Sequence, residues 1–159
     1  MQTPFSHIMF LIDDTGTDDD DDINRRKRAL FIRANMLKRK FVMCSWKIKL
    51  ILFKSYCTQL YTSTLWTNYR LGTLHTFIIA YNQSLRCLMN IPYYCSAKQM
   101  FCFLNVPSGN EVIRKSIYNV MCFSKDSHND IITSILTSDA WRLSRTRISW
   151  YNKLYSIYM

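Results

Sequence analysis

Glycine and proline are scarce in this chain, with only three of each among its 159 residues. Antiparallel sheets need frequent tight turns, and those turns draw heavily on these two residue types. An all-β architecture is therefore poorly supplied with turns. A hydrophobic fraction of 48% also argues against a disordered chain. The sequence predicts a mainly α protein with an apolar core of ordinary size.

Apolar residues recur at helical spacing along the chain after residue 22. The first series is Leu30, Ala34, Leu37, Phe41 and Cys44, with steps of three and four residues. Together the series predict an irregular bundle of about five to six helices. Later series begin at Trp46, Leu74, Ile113 and Ile131, and residues 96–104 form a shorter one.

Residues that cap helices stand before several of these series. Ser45 and Thr73 precede the second and third helices, and residues 108–111 have the S-x-x-E form of a capping box. Asp126 or Ser127 is expected to cap the helix that follows them.

The first 22 residues form a distinct leader, which divides the chain into residues 1–22 and a basic helical domain over 23–159. Residues 5–12 are compatible with a short strand, and five consecutive aspartates occupy 18–22. A metal site is one interpretation of this acidic run. Because adjacent like charges repel one another, we favour the interpretation that the run precedes a helix and complements the positive end of its dipole.

Basic residues are confined to the second part of the chain. All 21 lysines and arginines follow residue 22, where only four acidic residues occur, which gives that part a net charge of +17. Such an imbalance favours a polyanionic partner, and nucleic acid is the partner we expect. The alternative to nucleic-acid binding is that the basic side chains only keep a protein with a large apolar core in solution. The densest cluster, and the predicted phosphate contacts, are Arg25, Arg26, Arg28, Lys38, Arg39 and Lys40.

The residues that could carry catalysis are sparse. The chain has no glycine-rich phosphate loop, only three histidines, and no evident acidic pair after residue 22. The closest cysteine pairs are more widely spaced than the usual ligands of zinc. We therefore expect no metal, no cofactor and no small-molecule substrate for this chain, and its status as an enzyme is left open.

Neither a secretory signal nor an apolar run near the ~20 residues of a membrane span is evident. The sequence thus predicts an intracellular protein, nuclear or cytoplasmic, that does not enter the membrane.

Aromatic residues are interleaved with the basic ones, as at Tyr56, Trp66, Tyr69 and Tyr151. Exposed aromatic rings can stack on bases while lysine and arginine neutralise phosphates. The competing interpretation is that most of these rings fill a helical core.

Several short motifs occur in an order that is typical of one family. They are LFKSYC at 52–57, LWTNY at 65–69, AYN at 80–82, NVPS at 105–108 and, earlier, DDDINRR at 20–26. In sequence and order they resemble the region that follows the catalytic palm in non-LTR retrotransposon reverse transcriptases of the jockey-like type. The resemblance covers roughly residues 12–155.

This resemblance implies a thumb-like helical fragment of an RNA-directed DNA polymerase. The family's catalytic aspartates, with an F/Y-x-D-D turn, belong to a palm domain that is missing here, so Mg²⁺ is expected only for the intact polymerase. The run at 18–22 matches the family's acidic stretch before the first post-palm helix, whereas the leader departs from the family's pattern. The alternatives are an inactive structural remnant and a domesticated helical module that binds a protein.

Overall fold

The computed structural model describes residues 19–155, the side chain of Tyr61 excepted. Within this range every element of regular secondary structure is a helix and there is no strand, which confirms the mainly α prediction. The strand considered for residues 5–12 lies outside the described residues. The helices are α1 (Asp20–Lys40), α2 (Trp46–Tyr56), a 3₁₀-helix (Tyr61–Thr64), α3 (Leu71–Met89), α4 (Ala97–Leu104), α5 (Gly109–Lys125), α6 (Asp130–Thr137), α7 (Asp139–Arg142) and α8 (Arg145–Tyr155).

More helices occur in this range than the five to six predicted, because the region after α5 folds as three short helices. The helix expected after Asp126 or Ser127 begins later than predicted. Asp126 instead closes α5, where its N–H donates to the carbonyl of Cys122, and Asn129 caps α6.

The two longest helices, α1 and α3, make the most extensive contact in the described chain and run in the same direction. At their starts, the backbone N–H of Arg70 donates to Asp20 at 3.0 Å, and near their ends Lys38 Nζ lies 3.6 Å from Cys87 Sγ. Because the two helices are parallel, the chain must run back from the end of α1 to the start of α3. Helix α2 and residues 57–70 provide it, and Arg33 of α1 donates to the carbonyl of Tyr56 where α2 ends.

Aromatic rings fill the centre of the bundle. Tyr81 of α3 meets Phe53 of α2 edge-on at 5.4 Å between ring centroids and stacks against Phe101 of α4 at 6.0 Å. Trp66 packs edge-on against Phe77 at 5.6 Å, and both rings are buried. Edge-on and offset pairs are the favoured geometries of such rings. Packing in this core thus accounts for part of the aromatic content of the sequence.

Helix α5 begins in close contact with α3. The predicted capping box is present, because Glu111 Oε2 accepts from the N–H of Ser108 at 2.7 Å and Ser108 Oγ accepts from the N–H of Glu111 at 3.4 Å. Gly109 is buried here, and a Cβ at this position would lie 2.8 Å from Ile78 Cδ1. The capping box and the buried glycine together fix the position at which α5 begins against α3.

None of the helices in the described part of the chain combines the length and the apolarity that a membrane crossing requires.

Candidate nucleic-acid interface

All six predicted phosphate contacts lie on α1, but they do not share one face. A helix turns by about 100° per residue, so residues three and four apart lie on the same side. The buried residues Ile23, Leu30, Ala34 and Leu37 mark the inner face of α1. Arg25, Arg28 and Arg39 lie opposite them and are exposed.

These three arginines form an outer row that extends about 21 Å along α1, at 1.5 Å per residue. Ile32, 69% exposed, lies between Arg28 and Arg39 in this row. After Asp22 the helix contains no acidic residue. Arg25 pairs with Asp22, whereas Arg28 and Arg39 form no ion pair with any residue between 19 and 155. The charges of Arg28 and Arg39 are therefore fully available to an external anion.

The remaining predicted contacts are placed differently. Arg26 is half-buried, and its Nε lies 3.9 Å from Asp22 Oδ1. Lys38 is exposed, but its ammonium group donates towards the thiol of Cys87 in α3. Lys40 is the exposed last residue of α1. The outer row of Arg25, Arg28 and Arg39 is thus the part of the predicted cluster with a common direction.

The end of the acidic run binds the segment at residues 62–70. Asp19 Oδ2 accepts from the backbone N–H groups of Thr67 and Asn68, both at 2.7 Å. Asp22 Oδ2 accepts from Thr62 Oγ1 and Trp66 Nε1, both at 2.9 Å. Buried polar groups of an irregular segment need such partners, so these carboxylates stabilise a connection that lacks regular backbone pairing.

These contacts set the ionisation of Asp22. Burial by itself raises the pKa of this carboxyl group. The hydrogen bonds from Trp66, Arg25 and Thr62 and the charge of Arg26 outweigh burial, so the pKa lies below its usual value of 3.8. Asp22 is therefore ionised at neutral pH and serves as an acceptor for neighbouring protein groups.

Between residues 19 and 155, no three His, Cys, Asp or Glu side chains come together in a way that could hold a metal ion. All six cysteines lie in this range and are free thiols. Burial raises the pKa of the Cys57 thiol to about 11, although Arg33 opposes the rise. This thiol stays protonated at neutral pH, which agrees with a role in packing.

The C-terminal helix α8 supplies further basic side chains, which are not among the six predicted phosphate contacts. Helix α8 carries Arg145, Arg147 and Lys153 and contains no acidic residue. The guanidinium carbon of Arg147 lies 5.2 Å from the ring centroid of Tyr151. The spacing of arginine and tyrosine by four residues in the sequence is the signal that could have revealed this pair.

Lys153 attaches α8 to the same segment that the aspartates bind. Its Nζ donates to the carbonyl of Trp66 at 2.6 Å and lies 4.8 Å from the ring centroid of Tyr69. Burial lowers the pKa of Lys153 to about 8, although the charge of Asp19 acts in the opposite direction. Trp150 reinforces the attachment, since its Nε1 donates to the carbonyl of Thr64 at 2.6 Å. Residues 62–67 are consequently held between the start of α1 and α8.

The interleaved aromatic residues divide between core and surface. Trp66 and Trp150 are buried, whereas Tyr56, Tyr93 and Tyr155 are at least half exposed. Core packing therefore explains some of these residues, and others are free to contact a partner.

Fold and surface together define a basic, all-helical domain over the described residues, with an arginine row on α1 and further basic side chains on α8. Comparison of the chain with protein-family models, curated proteins and solved structures finds no match.

Proposed function

We propose that this chain is the post-palm, thumb-like region of a non-LTR retrotransposon reverse transcriptase, and that it contacts the phosphates of a template–primer. The ordered motifs from residue 20 to residue 108 support the family. The observation that carries the proposed binding is the outer row of Arg25, Arg28 and Arg39, which are exposed and point away from the core of the bundle.

The spacing of the row suits a nucleic-acid backbone. Arginine forms bidentate hydrogen bonds with phosphate and keeps its charge at any physiological pH. A row of about 21 Å is long enough to reach phosphates on both sides of a duplex groove, since the wider groove of B-form DNA is about 12 Å across. Ile32 within the row makes a contact to sugar or base edges that adds no charge.

In this proposal the chemistry of nucleotide addition belongs to the palm domain, which also holds the Mg²⁺ ions. This chain binds the nucleic-acid substrate, and we expect it to have no polymerase activity by itself. Its partners are the nucleic acid and the palm.

The test is binding of the purified chain to an RNA–DNA primer-template, followed across a series of salt concentrations. Phosphate contacts release counterions, so affinity is expected to fall steeply and linearly on a double-logarithmic plot against salt. Circular dichroism of the same sample reports whether the helices are formed. A helical protein that shows no salt-dependent binding would contradict the proposal.

A second candidate is a helical structural remnant or protein-binding module, and one observation favours it. The outer face of α2 exposes Ile48 and Ile51, the preceding turn exposes Met43 almost fully, and Phe103 of α4 is 86% exposed. Exposed apolar side chains in such number are typical of surfaces that another protein covers. Partner binding through these side chains would be insensitive to salt, which distinguishes it from phosphate binding.

A further inference from the structure

One face of α8 presents three side chains that stack in a line. Arg147, Tyr151 and Tyr155 are each four residues apart, so they lie above one another along the helix. The rings of Tyr151 and Tyr155 are nearly parallel, with 12° between their planes and 5.8 Å between their centroids. The guanidinium group of Arg147 lies over the ring of Tyr151, with its carbon 5.2 Å from the ring centroid. We call this series the α8 stack.

The α8 stack is held in place from behind. Trp150 and Lys153, on the opposite side of the helix, donate hydrogen bonds to the carbonyls of Thr64 and Trp66. Trp150 also packs edge-on against Trp141 at 5.5 Å. Arg147 is further fixed by a 2.8 Å hydrogen bond from Nη1 to the carbonyl of Arg142. The stack is thus pre-organised, which lowers the entropy lost when a ligand binds to it.

Tyr155 is 59% exposed, so the terminal ring of the stack is accessible. The exposed part of this ring can accept another flat, polarisable group. Helix α8 contains no acidic residue, and Arg147 places a positive charge at one end of the stack. A flat group that carries negative charge beside it is therefore the complementary ligand.

We infer that the α8 stack binds unpaired nucleotides of single-stranded nucleic acid, with a base on Tyr155 and a phosphate further along the strand on Arg147. A base inside a duplex is already stacked on both faces, so only an unpaired base can add to the tyrosine. This inference rests on the proposed nucleic-acid function, and it assigns unpaired template to α8 and paired template–primer to the arginine row of α1.

Removal of the terminal ring tests the inference directly. The full chain would be titrated with a fluorescein-labelled single strand of about 12 nucleotides, a length within the usual site size of such surfaces, and with a duplex of the same sequence. Tyr155→Leu removes the ring and keeps an apolar side chain, whereas Tyr155→Phe keeps the ring. The matched control is Tyr93→Leu with Tyr94→Leu, which alters two exposed tyrosines that meet edge-on and do not stack in parallel.

Tyr155→Leu is expected to weaken single-strand binding about tenfold, the effect of losing one aromatic–base stack. Binding of the duplex should not change, and neither should the salt dependence of single-strand binding, because no phosphate contact is lost. Tyr155→Phe and the control variant should bind like the wild type.

The outcomes separate this inference from the proposal on which it rests. If the wild type binds with strong salt dependence but Tyr155→Leu behaves like the control, the α8 stack is not the binding site, and the proposed function stands. Equal loss of single-strand and duplex binding would also overturn the inference. If the wild type binds neither ligand, the proposed function fails and the inference fails with it.

Discussion

Adjacent aspartates at the start of α1 have very different surroundings. Asp21 is exposed, whereas Asp22 accepts hydrogen bonds from Thr62 and Trp66 and pairs with Arg25. Identical residues in one run thus have different energetic roles, and the difference depends on a segment about 40 residues later in the chain.

Replacement of Asp22 by Asn should destabilise the fold at neutral pH. The variant loses charge-assisted hydrogen bonds, and a cost of about 1–2 kcal/mol is expected after allowance for solvent screening. Asp21→Asn is the matched control and should change the free energy of unfolding by less than about 0.5 kcal/mol. Urea titration at pH 7 measures both, and equal effects would contradict the role assigned to Asp22.

The same carboxylate predicts the direction of a pH effect. The pKa of Asp22 is lower in the folded chain than its usual value of 3.8, so its ionised form stabilises the fold above that pH. This stabilisation is lost as the pH falls through the folded-state pKa. The free energy of unfolding of Asp22→Asn should therefore depend less on pH below about 4 than that of the wild type.

Part of this arrangement could be predicted from the sequence. The preference of acidic residues for the start of a helix is local, and Asp20, Asp21 and Asp22 do lie in the first turn of α1, although the helix was expected to begin only after residue 22. The contacts of Asp19 and Asp22 with residues 62–68 are long-range, and no local pattern in the sequence indicates them. The direction of the arginines, by contrast, follows from the predicted apolar series, because Leu30, Ala34 and Leu37 are buried and the exposed arginines lie opposite them.

At the scale of the helices, two asparagines set where α3 and α4 end. Asn90 and Asn105 have φ values of 54° and 50°, in the left-handed region that asparagine and glycine tolerate best. The N–H groups of Asn90 and Ile91 both bond to the carbonyl of Arg86. These terminations direct the chain from α3 into α4 and from α4 into α5.

Asn90→Ala is expected to lower the free energy of unfolding by about 1 kcal/mol, because a Cβ-bearing residue without a polar side chain is strained at positive φ. Asn90→Gly should change it little, since glycine adopts this conformation freely. Thermal unfolding of the two variants checks the prediction. An alanine variant as stable as the glycine variant would show that the left-handed conformation does not limit stability there.

Local signals located some helix starts but not all, since Thr73, expected to cap the third helix, lies inside α3, whose N-cap is Arg70. Ser96 precedes α4, and the capping box opens α5, both as predicted. Burial was predicted less well, since Trp46, Ile131 and Ile135 were placed on apolar stripes but are more than half exposed. Periodicity shows that a face is apolar, but whether another element covers that face depends on the rest of the fold.

At the scale of the whole molecule, residues 62–70 connect the two ends of the described chain. The start of α1 holds this segment through Asp19, Asp20 and Asp22, and α8 holds it through Trp150 and Lys153. The first and last helices are therefore coupled through a connection with little regular structure. Unfolding of α8 should coincide with unfolding of the core.

Trp150→Phe tests this coupling. The change removes the hydrogen bond to the carbonyl of Thr64 and leaves that carbonyl without its donor, which should cost about 2 kcal/mol. The midpoint of thermal unfolding should fall by roughly 4–8 °C while the transition remains single. Trp46→Phe, at a site 54% exposed, is the matched control and should have a smaller effect. A separate early transition would show that α8 unfolds independently.

The arginine row of α1 is the central element of the functional account, and its contribution can be separated from that of net charge. The test compares Arg25→Gln/Arg28→Gln/Arg39→Gln with Lys98→Gln/Lys115→Gln/Lys125→Gln, which removes the same charge from exposed positions on α4 and α5. The quantity measured is the slope of log affinity against log salt for an RNA–DNA primer-template.

We expect the α1 variant to lose about 2–3 units of that slope, close to one for each phosphate contact removed, and the lysine variant to retain nearly the wild-type slope. Equal reduction in both variants would show that binding follows overall charge alone, and it would contradict the assignment of the interface to α1.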